Sequence, residues 1–593
     1  MKNFIEKIIN SIEEQKISFW LWAASFLSLI VTRIMIENWL SDFKNRSGFF
    51  IFYEFTHTFL FFIISYILFA ILLSYFLKEK IRKISNVLLW GFLIILTPPI
   101  LDYLISGGKG YWSFYEFDGV SGLFKRFFTF FGDTPEIGIT YGVRIEVAMS
   151  LLFIFLYSLV KLGKSEYQIS KSETISNVQN SKSKTFRIFV IRILNLFRAS
   201  NFVFKFFKSK SGVIVKSLVI TTAAYAIFFI LGTFPSYITI INEGFTKGFM
   251  NVNGVDVAGM FLSPAKIFSR EIPDIVSALN VKMSMIYSII LSVLIPIIFF
   301  HRSKEKTLAL FKNARYPQLC NHLGLVAAGM ALAGFLTETK IEINIFNLIS
   351  FGLLGDAVCY AWLTSTVIND IYDVHSDEVT SNKKRPLITG VIEKQEFIII
   401  GCILFLASIL FSAIVNFKIA LLLIAYQAIA WIYSCWPLRL KRFAFISTFL
   451  SAIALLLILF SGYILVSPDQ NIKSLPFPII ALLVISYTLS LPIKDFKDIE
   501  GDKKEGVFTV PVLFGEQWGK LIVAGGIFIS FLLSVALLNE FRLFWWAFLA
   551  GSISFWIVLS SGNNKKIKYH RLPWWIFGLV FIYGLILVKI VFL

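Results

Sequence analysis

Charge is what this sequence is short of. Only 16% of its 593 residues are Asp, Glu, Lys or Arg, against about 25% in soluble globular proteins. Hydrophobic residues make up 57%, and apolar runs of ~20 residues, long enough to cross a bilayer, recur from end to end. A soluble domain is excluded; the composition is that of an all-α polytopic membrane protein. Cysteine is equally sparse. Cys320, Cys359, Cys402 and Cys435 are four in all, far apart and in or beside apolar runs. No Cys-x-x-Cys pair or disulfide framework is visible, which argues against thiolate metal binding. The N-terminal stretch "MKNFIEKIINSIEEQK" lacks the short apolar core and cleavage site of a signal peptide. It reads as a surface helix that stays on the protein.

Negative charge is scarcer than positive, with 37 acidic against 56 basic side chains. No basic stretch belongs to a nucleic-acid module, so nucleic acid is not expected as a partner. The excess fits basic loops that hold cytoplasmic helix ends against anionic lipid. Hydropathy predicts fifteen spanning helices in two blocks of six and nine. Residues 1–162 hold four of them. A basic linker, 163–212, follows, whose second half reads as an amphipathic helix in the headgroup layer. Two further spans lie in 213–304, and residues 305–593 hold nine. Basic residues crowd the loops after the second, fourth, sixth and eighth helices of the nine. That asymmetry places those loops, and the N-terminus, in the cytoplasm.

Two of these loops are unusual for their acids. "NDIYDVHSD" ends the second helix of the nine and sets Asn369, Asp373 and Asp377 at i, i+4, i+8, with Asp370 beside them. On a continuous helix that spacing makes one ridge. "PIKDFKDIEGDK" ends the sixth and sets Asp495, Asp498 and Asp502 at i, i+3, i+7, again one face. Four helices separate the motifs, so both emerge on one side of the membrane. Two carboxylate ridges form an oxygen-only environment suited to Mg²⁺. The neighbouring lysines and arginines suit phosphate. A divalent cation lying between carboxylates and a diphosphate would remove their mutual repulsion, and the chemistry served would be ionisation of a departing diphosphate. Either motif alone could be a solvated helix end; the pair, with basic neighbours, argues for a site.

The first motif resembles the N-D-x-x-D-x-x-x-D signature of the UbiA superfamily of intramembrane prenyltransferases. "KDFKDIEGDKKEGVFTVPVLFG" is similar to that family's second motif, and "YSCWPLRLKR" (433–442) to the stretch between them. The resemblance covers about residues 305–593 and implies a nine-helix bundle in which Mg²⁺ holds a prenyl diphosphate donor. It implies metal ligation by Asn369, Asp370, Asp373, Asp377, Asp495, Asp498 and Asp502, with Asp373, Asp498 and Tyr433 at the reacting centre. In some members a diphosphate-binding lysine follows the matching tyrosine by four positions. Pro437 stands there, so Arg439 or Lys441 takes the role. Arg385, Lys383 and Lys494 are the other candidate phosphate ligands. Arg315, Asn321 and Asp356 are candidates for contact with a hydrophobic acceptor. Lipid-like or tetrapyrrole acceptors are expected, with aromatic quinone precursors next. The rival of another class is a transporter for a divalent cation, which would place its carboxylates nearer mid-membrane. Residues 1–300 carry no paired carboxylates, P-loop, Ser-His-Asp pattern or Cys/His cluster. A scaffold, or a surface for a membrane-protein partner, is expected there, ahead of a second lipid-handling activity.

Overall fold

The computed structural model describes residues 2–40, 48–109, 112–113, 115–132, 137–172, 210–374, 378, 385–504, 506–562 and 567–591. Among these, fifteen helices are long and apolar enough to cross a membrane, the number that hydropathy predicts. The chain divides into two compact units: Met1–Ser263 with Asp274–Leu294, and Pro264–Pro273 with Ile295–Leu593. Helix Ile275–Arg302 contributes to both and carries Pro296 inside it, one residue past the division. A proline there removes one helical hydrogen bond and so weakens the continuity of the helix at that point.

In the first unit, Phe26, Ile30, Tyr66, Leu73, Ile84 and Ile154 share one core. The expected N-terminal helix is present as Lys2–Glu13, but its last residue is not on the surface. Glu13 is buried and accepts from Tyr157 Oη at 2.8 Å and Lys161 Nζ at 2.7 Å. Asp102 accepts from Thr140 Oγ1 (2.6 Å) and the Gly142 amide (2.7 Å), while Glu146 pairs with Arg33 at 3.2 Å. Arg144 donates to the carbonyls of Ile139 and Gly132. Arg144 and Glu146, two residues apart, thus have separate partners. The amphipathic helix expected in the second half of 163–212 lies outside the described residues.

The second unit holds nine spanning helices among its described residues. They are α1 (Tyr316–Leu336), α2 (Ile345–Tyr372), α3 (Lys394–Val415), α4 (Phe417–Ser434), α5 (Ala444–Val466), α6 (Phe477–Ser490), α7 (Val510–Leu538), α8 (Phe544–Leu559) and α9 (Leu572–Val591). Asn344 and Asn416 cap α2 and α4, each accepting a backbone N–H through its side chain, which satisfies donors that helix formation leaves open. Helices α1 and α5 approach backbone to backbone. A Cβ added at Gly329 would lie 2.1 Å from the Leu459 carbonyl oxygen, and one at Gly462 2.0 Å from that of Val326. Small residues facing each other permit this contact in a membrane bundle. Helix α7 begins at Val510, eight residues past Asp502. Gly515, at φ 76°, kinks the helix there, a backbone state glycine adopts without strain.

A short antiparallel hairpin also belongs to this unit: β1 (Ala265–Ile267) pairs with β2 (Arg270–Ile272), Ala265 opposite Ile272 and Ile267 opposite Arg270. Arg270 is buried and donates to the Ile414 and Val415 carbonyls at the end of α3. Ser269 donates to the Ser467 carbonyl past α5, and Asn347 of α2 accepts the Phe268 amide. Helix C-termini leave carbonyls unpaired and carry partial negative charge, which a buried guanidinium complements. These helix ends lie opposite those that carry the aspartate motifs.

Candidate active site

The site is built where α2, α4 and α6 end. Helix α2 stops at Tyr372 and Asp373 caps it, its amide bonded to the Asn369 carbonyl at 2.9 Å. The single helical ridge expected from Asn369 through Asp377 is therefore interrupted at Asp373. Asp377 and Lys383 lie outside the described residues. The second motif is not a continuous α-helix either. Leu491–Lys497 is a 3₁₀ helix, Asp498 closes it, and Ile499–Lys504 is a short α-helix. Pro492, within the first two residues of the 3₁₀ segment, supplies no amide donor to the preceding helix and so favours a change of register there. The aspartates still stack on successive turns. The Asp498 amide donates to the Asp495 carbonyl and the Asp502 amide to the Asp498 carbonyl, so tight and regular turns together keep one face.

Asp370 and Asp373 point to different neighbours. Asp370, buried, accepts from Asn313 Nδ2 and Arg315 Nη2, both at 2.6 Å, and from the Arg385 guanidinium. Its carboxylate is thus engaged by three donors, two of them arginines, at a position where the resemblance implies a metal ligand. Arg315, expected near an acceptor, and Arg385, expected on phosphate, both rest on it. Asp373 meets Lys441 and, at 3.4 Å, Arg439 Nη2. Both cations are buried. The choice between them for the missing lysine does not divide their contacts, since one carboxylate holds both. Local backbone makes this reach possible: Arg439 sits at φ 39° ahead of a 3₁₀ turn, Leu440–Arg442.

Lys494 Nζ lies 3.3 Å from Tyr433 Oη and 5.5 Å from the centre of that ring. Ser434 reaches Asn369 Oδ1 at 3.4 Å, which ties the end of α4 to the first motif. The strand-like backbone of Phe443 bridges Phe508, and the Phe508 amide donates to the Arg442 carbonyl at 2.9 Å. That bond fixes the middle segment to the tail of the second motif. Asp498 is 3.6 Å from Lys497, both part-exposed, and Asp502 accepts from Thr509 Oγ1 at 3.4 Å. Burial, then the charges of Asp495 and Asp498, push the Asp502 carboxyl up to about 7; Asp373 adds to this and Lys441 opposes it. Asp502 therefore feels acids of both motifs, so the two motifs converge in space.

The remaining candidates are dispersed. Asn321 on α1 accepts from Tyr487 Oη of α6 at 3.3 Å, and Asp356 is half-buried within α2, near Cys359. Among the described residues no three carboxylate, imidazole or thiol side chains form a ready-made metal cluster. The donor chemistry nevertheless fits a hard cation: Asp495, Asp498 and Asp502 are oxygen donors of like charge held near one another, a set that suits Mg²⁺. Sequence reasoning passed over Asn313, although it stands two residues before Arg315. It also missed buried His322, which bonds to the Gln318 carbonyl and to Tyr426 Oη at 2.9 Å; a lone histidine on an apolar helix gives no such signal.

Comparison with known proteins follows the same segment. The model of the UbiA prenyltransferase family matches residues 323–587. Residues 323–587 belong to this family. Relatives include the digeranylgeranylglyceryl phosphate synthase of Methanosphaera stadtmanae, 31% identical over 191 residues, which are 32% of this chain and 66% of the synthase. The UbiA segment is also 29% identical over 249 residues to the chloroplastic chlorophyll synthase of Avena sativa, covering 38% of this chain and 64% of that enzyme. The chain thus spans just under two thirds of each. A UbiA homologue from Archaeoglobus fulgidus, solved with DMAPP and Mg²⁺, aligns over 46% of this chain and 98% of its own at 18% identity and a TM-score of 0.37.

Proposed function

We propose that the UbiA segment transfers a prenyl group from an allylic prenyl diphosphate to a lipid-like or tetrapyrrole acceptor within the membrane, with Mg²⁺ as cofactor. The observation that carries this reading is the convergence of the two aspartate motifs beside buried cations, felt at Asp502. The charges satisfy one another within the chain: Arg315 and Arg385 on Asp370, Arg439 and Lys441 on Asp373. An incoming diphosphate offers the cations better-charged partners, and the freed Asp373 joins Asp495, Asp498 and Asp502 as an oxygen donor. Bound there, Mg²⁺ supplies Lewis-acid stabilisation of charge on the leaving diphosphate. The allylic C–O bond breaks with its electron pair passing to diphosphate, and the acceptor nucleophile captures the carbocation and loses a proton. Lys494, placed on Tyr433, and Lys441 are the cations nearest to hand for the leaving group, whose charge preorganised donors stabilise. Asn321 and Asp356, deeper in the bundle, are assigned to the acceptor side.

The names of the relatives support the acceptor class: one set makes digeranylgeranylglyceryl phosphate, the other chlorophyll. The position of the carboxylates at helix ends rather than within the spans favours this reading over a cation transporter. The basic loops at that end support a cytoplasmic face for both motifs. The test is release of diphosphate by the purified full chain from labelled geranylgeranyl or farnesyl diphosphate with Mg²⁺ and a membrane lipid extract. Release that needs Mg²⁺ and is lost in Asp373→Asn supports the reading. No release with any extract, and donor binding unchanged in that variant, defeats it. Transfer to an aromatic quinone precursor alone would replace the acceptor class.

A further inference from the structure

A groove of about 750 Å³ runs between α8 and α9, outside the site just described. Ile557, Leu579 and Ile582 form its walls, and His570 and Arg571 stand at one end beside Trp574 and Trp575. The two tryptophans occupy the first turn of α9 and are about half exposed (46% and 57%), where amphipathic rings mark the level of lipid headgroups. Arg571 and His570 are exposed, and among the described residues neither side chain has an ion-pair or hydrogen-bond partner. Their neighbour Lys520, by contrast, is saturated by Glu516 and the Ser561 carbonyl. A guanidinium beside an imidazole at headgroup depth, with no acid paired to either among the described residues while an apolar trough opens beneath them, is complementary to a molecule with an anionic head and a hydrocarbon tail. Gly578 leaves the trough open: a Cβ there would meet no atom within 4 Å.

We propose that this groove binds one anionic phospholipid of the surrounding bilayer, its phosphate held by Arg571 and His570 and one acyl chain lying along Ile557, Leu579 and Ile582. The site borders the catalytic face. Tyr569, immediately before His570, stacks on Phe496 of the second aspartate motif with ring centres 5.7 Å apart. A lipid seated on His570 and Arg571 therefore bears on the segment that positions Asp495 and Asp498. The proposal does not rest on prenyl transfer, since binding can be read without turnover.

The test uses the full chain in detergent, with lipid retention followed by native mass spectrometry as phosphatidylglycerol or phosphatidylcholine is added. Wild type is expected to retain one phosphatidylglycerol at about fivefold lower lipid concentration than phosphatidylcholine, the effect of roughly 1 kcal/mol per basic residue. Arg571→Gln should bring the two lipids level, and Gly578→Phe, which fills the trough from an open position, should abolish retention of the bound lipid. Unchanged thermal unfolding of both variants would show that the fold is intact. Equal retention of the two lipids by wild type, a preference that survives Arg571→Gln, or lipid still held by Gly578→Phe would each overturn the proposal. Free phosphate that competes as well as the lipid would also overturn it, because the tail would then contribute nothing.

Discussion

The acids of the first unit and those of the second motif are both buried or partly buried, yet they are treated differently. Asp102, Glu13 and Glu146 each have protein donors matched to them: a hydroxyl and an amide, a tyrosine and a lysine, an arginine. Asp502 instead is held up by burial and then by the charges of Asp495 and Asp498, with only Thr509 Oγ1 donating to it at 3.4 Å. A buried charge without partners is costly, so proteins pair it or leave it for a ligand. The comparison separates structural acids, which complete their bonding within the chain, from acids whose bonding is completed from outside.

Breaking the first kind should give the largest change in stability. Glu146→Ala leaves the Arg33 guanidinium, itself largely buried, without its carboxylate, and removal of one partner from a buried pair costs about 3–5 kcal/mol. Thermal unfolding should show that loss, while prenyl transfer per folded molecule stays at the wild-type rate. Asp498→Asn should do the reverse. Transfer should fall on the order of 10²-fold, as when a group stabilising transition-state charge is lost. The unfolding midpoint should hold or rise, because a like charge beside Asp495 has gone.

A pH series sharpens the contrast. Burial and the neighbouring aspartates hold the Asp502 carboxyl at about 7 in the folded protein, against an ordinary value of 3.8. A carboxyl with a raised folded value contributes stability fully below the unfolded value, and loses it as pH rises through the folded one. Metal-free protein should therefore lose stability between pH 4 and 7. Asp502→Asn should remove that part of the slope, and so should Mg²⁺ in the wild type. Unfolding midpoints with EDTA and with Mg²⁺ are the measurement. The smallest effect belongs to Lys497→Gln. Its contact with Asp498 is part-exposed, and such pairs contribute about 0.2–1 kcal/mol, so stability should barely move.

Helix number and the positions of both motifs were legible because they depend on local patterns: runs of apolar residues, and aspartates at helical intervals beside lysines. The same periodicity misled where the backbone left the α-helix. Asp373 caps α2 and Pro492 begins a 3₁₀ turn, and neither break alters the spacing of aspartates by which the ridges were read. Partner choice was illegible for another reason. Asp370 is met by Asn313, Arg315 and Arg385 from two flanking segments, and Asp373 by residues 66 and 68 positions on. Such pairings follow from the bundle's topology, which no window along the chain contains. The identity of Arg439 and Lys441 as neighbours of Asp373 was only half visible, through the proline that displaces the family's lysine.

The hairpin of residues 264–273 has a consequence for how the protein is made. Its strands leave the ribosome before any of the nine bundle helices, whereas the carbonyls that Arg270 and Ser269 hold, at 414, 415 and 467, emerge well over a hundred residues later. The clasp can close only after α5 has been inserted, so closure is a late step in assembly. A fragment begun at residue 305, however well it keeps the aspartate motifs, would be born without its own fastening.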